Sequence, residues 1–478
     1  MLSRYKILLL NIILFAFIIA SRFQTFGNPL IHVDEEFYLF GGGRLLHGDL
    51  PYIQIWDRKP FGIFLLYAFF HLFGPYRIIA YQAGAVMAVW GTAWLLFRMG
   101  QTIAPTVGAF VSALLYVALL NLSLGEGGQT PIFYNLLVAG AVALILRRLM
   151  RPGRLLRTRD IFSAMLLFGL AMQIKYTVVF EGIFVGLYCV FHRFLASRSL
   201  SGILKDVSLL EGAGILPTAI IFTFYAALGH RSEWIFANLE SIFLRGHVPI
   251  KEIHHLQKRM LVDILPLIPG LVVTGVLAHK KASKPQYLYL TLWACTAGLG
   301  IVIFGGWYVH YILPLYAPLA LTCAPLWYKK AGRIWVVALL CVVSLIGQYS
   351  LRKHRLDHGD RQTFQAMLNV MKQAPGCVFV YQGPPELYDT PYWCPLTTHP
   401  FPGHFHEAVE VHATGIDVML ELHRVLSKRP EYIVTQDEFP VNENRAIRKE
   451  LFREIYASYE LVYKFQGPNS SIYLYRHT

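Results

Sequence analysis

Charge is scarce in this chain of 478 residues. Asp, Glu, Lys and Arg together supply 15% of it, against 55% hydrophobic residues and a mean hydropathy of +0.45. That balance excludes a soluble globular protein of this size. Acids are scarcer still, 29 against 43 Lys and Arg, which leaves a net charge of +14. A basic surplus can mark a nucleic-acid binder, but these cations sit in short loops and not in one aromatic-interleaved patch, so no nucleic-acid partner is expected. Only six cysteines occur, and neither His254-His255 nor His404-Phe405-His406 has the second pair of ligands a zinc site needs, so no metal is expected. No internal repeat is visible, and the repeated halves of many transporters are therefore missing.

What is present is a succession of long apolar runs. Segments near 7–25, 78–98, 105–123, 131–147, 161–175, 177–195, 208–228, 262–279, 287–305, 311–327 and 333–350 predict about eleven transmembrane helices. The first is read as a true span, because no convincing cleavage site follows Ala20 and Ser21. Basic loops set the orientation: Arg147, Arg148, Arg151, Arg154, Arg157 and Arg159 crowd one, Lys280, Lys281 and Lys284 another, and Lys329, Lys330 and Arg333 a third. By the positive-inside rule these face the cytoplasm. The N terminus is then cytoplasmic, and the loops carrying Asp34, Glu126, Lys175 and His310 emerge outside with the C-terminal segment. Cys189, Cys295, Cys323 and Cys341 fall in apolar segments, whereas an extracytoplasmic tail would permit a disulfide between Cys377 and Cys394.

The expected organisation is a membrane domain over 1–350, with a first outer loop of about 26–77, and an α/β domain over 351–478. In the tail, 360–373, 416–427 and 444–456 have helical spacing; 377–381 and 431–435 read as buried strands; 461–465 and 471–475, parted by Gly467-Pro468-Asn469-Ser470, read as a hairpin. No sustained apolar segment is expected between the first span and Ile78. Trp234 and Phe236, beside charges in the 230–260 stretch, suit a helix lying in the membrane interface.

Chemistry is expected in the outer loops. Asp34 and Glu35 follow the first span directly, where carboxylates are costly unless they face water or a partner, and a carboxylate there can act as general base on a hydroxyl. An acidic first helical turn explains the same residues. Arg44, Arg58 and Lys59 share their loop with Tyr52 and Asp57. Lys175 interrupts an apolar stretch; it can snorkel to the interface or meet an anion such as a lipid phosphate. Glu126 stands among glycines, and His310 and Tyr311 precede Leu313-Pro314-Leu315, where they can orient a ligand or form part of an aromatic belt.

The joint pattern, above all residues 32–62 with Asp34-Glu35 and Trp56-Asp57-Arg58-Lys59-Pro60-Phe61-Gly62, resembles the GT-C membrane glycosyltransferases. Within them it looks like the bacterial branch related to protein O-mannosyltransferases and lipid A aminoarabinose transferases. The resemblance covers residues 1 to about 350. It implies a polytopic α-helical enzyme of the bacterial inner membrane, with a periplasmic tail, that transfers a sugar with inversion from a polyprenyl-phosphate donor to a lipid, glycan or protein acceptor. It further implies that Asp34 and Glu35 are catalytic, that Lys175 and Arg58 hold the donor phosphate, and that Tyr52, Asp57, Lys59, Glu126, His310 and Tyr311 shape the pocket. A monophosphate leaving group can be neutralised by such cations, so the resemblance calls for no cofactor. Phe61 stands where relatives frequently carry a second proline. The rival reading is a polytopic transporter or lipid flippase.

Overall fold

Residues 4–150, 156–197, 200–281, 284–437 and 441–478 are described by a computed structural model. Arg151 and Arg154 of the first basic loop lie outside them. The helices are α1 (Arg4–Arg22), α2 (Val33–Leu46), α3 (Phe61–His71), α4 (Arg77–Gly100), α5 (Thr106–Leu120), α6 (Thr130–Leu149), α7 (Thr158–Met172), α8 (Val179–Ser197) and α9 (Leu200–Ala227). They continue as α10 (Arg231–Ile235), α11 (Ser241–Leu244), α12 (Ile250–Ile264), α13 (Ile268–Lys280), α14 (Pro285–Phe304), α15 (Leu313–Thr322) and α16 (Lys330–His358). The tail adds α17 (Arg361–Met371), α18 (Gly403–His406), α19 (Val418–Ser427) and α20 (Arg445–Ser458).

Among the described residues nine helical stretches are long and apolar enough to cross a membrane. Two of the eleven expected spans fall short: α5 and α7 have 15 residues each, about 22 Å of helix against a hydrocarbon core of about 30 Å. The 26–77 stretch also differs from expectation. It contains α3, Phe61–His71, an unbroken apolar helix of 11 residues that follows Pro60 and ends ahead of Gly74-Pro75. A run this short escapes a search for membrane spans.

The chain divides into two compact units. The first comprises 1–24, 83–221 and 255–350. Within it α8 packs on α14, α14 on α13 and α15, α15 on α5 and α6, and α6 on α7. The second comprises 25–82, 222–254 and 351–478. There α2 packs against α3 and against the turn Pro385–Asp389. Its four-stranded sheet has the order β1 (Val378–Val380), β2 (Tyr432–Gln436), β4 (Ser471–His477), β3 (Tyr459–Gln466). β1 and β2 run parallel, with Phe379 opposite Ile433, while β3 and β4 form the antiparallel hairpin, bulged between Leu461 and Tyr463. Leu422 and Val425 of α19 and Leu451 and Ile455 of α20 complete the core on Phe379 and Ile433. Asp417 caps α19 by accepting from the amides of Met419 and Leu420, and Asn444 caps α20 by accepting from that of Ile447. Cys377 and Cys394 form a disulfide, with Cα atoms 5.5 Å apart.

Trp234 is buried and packs edge-on against Phe222 at 5.0 Å, and Phe236 lies 6.2 Å from Trp56. Trp234 is thus a core residue of the second unit, while Phe236 is half-buried beside it.

Candidate functional site

In the second unit the acids of the first turn of α2 have separate surroundings because successive helical residues point about 100° apart. Asp34 is partly exposed, and its Oδ1 lies 3.3 Å from Lys59 Nζ. One turn on, the Tyr38 ring lies beneath that ammonium, 5.2 Å from Nζ. Phe401 closes its other side at 5.9 Å. Burial works against the charge on Lys59, but Asp34, Tyr38 and Asp57 outweigh it and hold the ammonium well above its ordinary pKa. Lys59 thus fixes Asp34 as the solvent-facing carboxylate. Glu35 and Glu36 are buried. Burial drives Glu36 up to about 8, opposed by the amide of Glu386, which donates to its carboxylate.

The other residues expected to line a pocket here make hydrogen bonds within the loop. Tyr52 holds a left-handed backbone, φ 73°, and its hydroxyl donates to the Lys59 carbonyl at 3.0 Å. Its ring meets Tyr225, whose hydroxyl donates to the Pro51 carbonyl at 2.9 Å. Asp57 is buried and accepts the Lys59 amide at 2.9 Å. Arg58, expected at the donor phosphate, points both terminal nitrogens at Glu410, which also accepts from Arg245 Nε at 2.7 Å. An acid already shared by two guanidiniums holds Arg58 in place.

In the first unit Lys175 precedes the turn Tyr176–Val178 that leads into α8. It is buried, and its Nζ lies 3.9 Å from the centroid of the Tyr311 ring, a close cation–π contact. The ring reaches that position because residue 306 is glycine: a Cβ there would come within 2.4 Å of Tyr311 Cε2. Lys175 and Tyr311 line a cavity of about 30 Å³ with Tyr134, Thr177, Phe180 and Glu181 on one side and Ala297, Gly300 and Phe304 on the other. An apolar groove of about 490 Å³ between α8 and α14 shares Phe180 and Gly300 with it. His310 packs edge-on against Tyr311 at 4.7 Å and does not line the cavity. Glu126 is buried in its glycine-rich loop, whose Gly125 carbonyl accepts from Arg22 Nη1 at 2.8 Å and whose Gly127 carbonyl accepts from Nη2.

Three residues here were not anticipated from sequence: Arg22, Glu181 and Trp293. Arg22 closes the first apolar run. Glu181 lies in the first turn of α8 and accepts from the indole nitrogen of Trp293 at 2.6 Å. An acid inside a predicted span is itself the signal that marks it.

No protein-family model matches the chain, and no curated protein matches it in sequence. Solved structures do match in shape. ArnT from Cupriavidus metallidurans bound to undecaprenyl phosphate superposes with a TM-score of 0.58 at 10% identity, over 99% of this chain and 98% of that one. The oligosaccharyltransferase of Archaeoglobus fulgidus in its apo form gives 0.52 at 12% identity, over 91% of this chain and 70% of that one. The chain is a polytopic helical membrane protein with the GT-C fold and a small α/β segment at its C-terminal end.

Proposed function

We propose that this protein is an inverting glycosyltransferase, moving one sugar from a polyprenyl-phosphate carrier to an acceptor hydroxyl at the outer face of a bacterial inner membrane. The observation that carries the reading is the buried Lys175 in a cavity that shares two wall residues, Phe180 and Gly300, with an apolar groove. A cation beside a lipid-facing channel suits a ligand with one phosphate on a long hydrocarbon chain. Undecaprenyl phosphate, held by the ArnT structure, is a lipid of that class. The Cys377–Cys394 disulfide supports an oxidising compartment for the tail.

Asp34 takes the proton of the acceptor hydroxyl. The acceptor oxygen attacks the anomeric carbon from the face opposite the phosphate, and the anomeric C–O bond breaks with its electron pair passing to phosphate. Lys175 stabilises the charge that collects there. Lys59 holds Asp34 in one orientation, and Glu35, Glu126 and His310 are assigned supporting roles. Phosphate contact falls to Lys175, because Arg58 is held by Glu410.

The test is incubation of the purified protein in lipid nanodiscs with a panel of radiolabelled polyprenyl-phosphate sugars and a bacterial membrane extract. Transfer of label into an extract component, with one polyprenyl phosphate released per sugar, is expected from at least one donor. Failure of every donor, together with failure of polyprenyl phosphate to bind, would sink the reading.

A further inference from the structure

The loop that carries Lys59 finds its partners in a single stretch of the tail, residues 398–410. The Trp56 amide donates to the Thr398 carbonyl at 2.7 Å, and the Trp56 ring stacks on His399 at 5.0 Å and meets His404 edge-on at 4.8 Å. Arg58 is held by Glu410. The Lys59 ammonium lies 5.9 Å from the centroid of the Phe401 ring, in addition to its contact with Tyr38. Phe401 is itself held in place. Phe37 of α2 packs edge-on against it at 5.1 Å and His404 at 5.2 Å. Residue 403 is glycine, and a Cβ there would come within 2.7 Å of Phe401 Cε1, so the ring lies where it does because that side chain is missing. The stretch is anchored at both ends. Cys394 ahead of it is tied to Cys377, and past α18 the Ala408 amide donates to the Asn442 carbonyl at 2.8 Å, while the Asn444 amide donates to the His406 carbonyl at 2.7 Å.

We infer that residues 398–410 of the tail belong to the reaction centre, and that Phe401 is a positioning residue that holds Lys59 against Asp34. The inference rests on the reading of Asp34 as the base and adds the group that keeps its partner in place. A lysine stem is long and flexible, so an ammonium with a single carboxylate partner can reach it in many ways. Aromatic rings narrow the choice, because the negative face of each attracts the cation. Leucine at 401 would fill much of the same space but has no such face, so filling space and holding the cation are separable by substitution. The other groups that face the ammonium are Asp34 and Tyr38 of α2 and Asp57 of its own loop. None of them is removed when residue 401 is changed.

The experiment uses the full chain in nanodiscs and has two readouts. One is the rate at which acetic anhydride acetylates Lys59, followed by peptide mass spectrometry; the other is turnover with the polyprenyl-phosphate sugar that the donor panel identifies. Phe401→Leu should speed acetylation of Lys59 and lower turnover, each by about three- to tenfold, the scale of one cation–π contact. Phe401→Tyr keeps the ring and should behave as the parent in both. Phe401→Met, a flexible filler of the same space, gives the same comparison where leucine disturbs folding. In a Lys59→Met protein, Phe401→Leu should have no further effect on turnover, since the group it releases is already gone. Acetylation unchanged in folded Phe401→Leu and Phe401→Met proteins, or a further fall in turnover in the Lys59→Met background, overturns the assignment. If acetylation rises while turnover holds, Phe401 retains the amine without serving the reaction, and the positioning role fails while the reading of Asp34 stands. If the parent turns over no donor in the panel, that reading fails and takes the positioning role with it.

Discussion

The Lys59 ammonium stands 3.3 Å from Oδ1 of Asp34, held over the Tyr38 ring one turn further along α2. A carboxylate paired in this way keeps one orientation, which suits the proposed base. Asp34→Asn preserves size and should lower the rate of sugar transfer by about 10²–10⁴-fold, the usual worth of a general base. Near-normal turnover in a folded Asp34→Asn protein would pass the role to Glu35 or Glu126.

Glu36 gives the protein a pH dependence with a definite sign. Its buried carboxyl is raised from 4.5 to about 8. Between those values the folded protein keeps a proton that the unfolded chain has lost, so folding stability falls as pH rises. The contribution is fully present below 4.5 and lost as pH passes through about 8. Melting temperatures of the wild type from pH 5 to 9 should decline across that window, and Glu36→Gln should flatten the decline. Parallel curves for the two proteins would refute the assignment.

Glu410 holds Arg58 and Arg245 together. Burial opposes its charge, but the two guanidiniums outweigh burial and keep the carboxyl below its ordinary pKa. Removing one member of a buried ionic cluster strands the rest, so Glu410→Ala should destabilise the second unit by about 3–5 kcal/mol. Pairing Glu410→Leu with Arg58→Met should recover part of that loss. Chemical denaturation followed by Trp fluorescence reads both.

Cys377 and Cys394 close a loop of 17 residues ahead of β2. Replacing both with serine should cost the tail about 2–4 kcal/mol, seen as faster proteolysis between β1 and α19. Topology reporters should place residue 155 in the cytoplasm and residue 400 outside. Finding both on one side would undo the orientation argument.

The tail was legible in the sequence nearly element by element. Its strands are short β-branched and aromatic runs, and breakers such as Gly467-Pro468 separate them. The spans were legible because lipid imposes length and apolarity on them. α3 was not, since its 11 residues, apolar up to His71, match no spanning length and look like a loop between polar flanks. The ion pair of Arg58 was not legible either. Its partner, Glu410, is 352 residues away, and nothing local distinguishes an arginine that meets phosphate from one that meets a distant carboxylate. Glu181 was visible in principle as an acid in a span, but only the cavity shows that it keeps company with Lys175.

Lys175 breaks an apolar stretch at the entrance to α8, stacks against Tyr311 and lines a cavity that shares Phe180 and Gly300 with an apolar groove. A lysine that merely snorkelled would have its ammonium in water; this one is buried. Lys175→Met keeps the length and apolar contact of the stem, so folding should survive. Binding of undecaprenyl phosphate should weaken by the roughly 1.5–3 kcal/mol of one charge-assisted contact, and turnover should fall with it. Lys175→Arg keeps the charge but spreads it over a planar fork that must fit the small cavity beside Tyr311, so it should recover only part of the activity. Isothermal titration with undecaprenyl phosphate separates binding from rate. If Lys175→Met binds that lipid as tightly as the parent and turns the donor over as fast, Lys175 has no part in holding the phosphate.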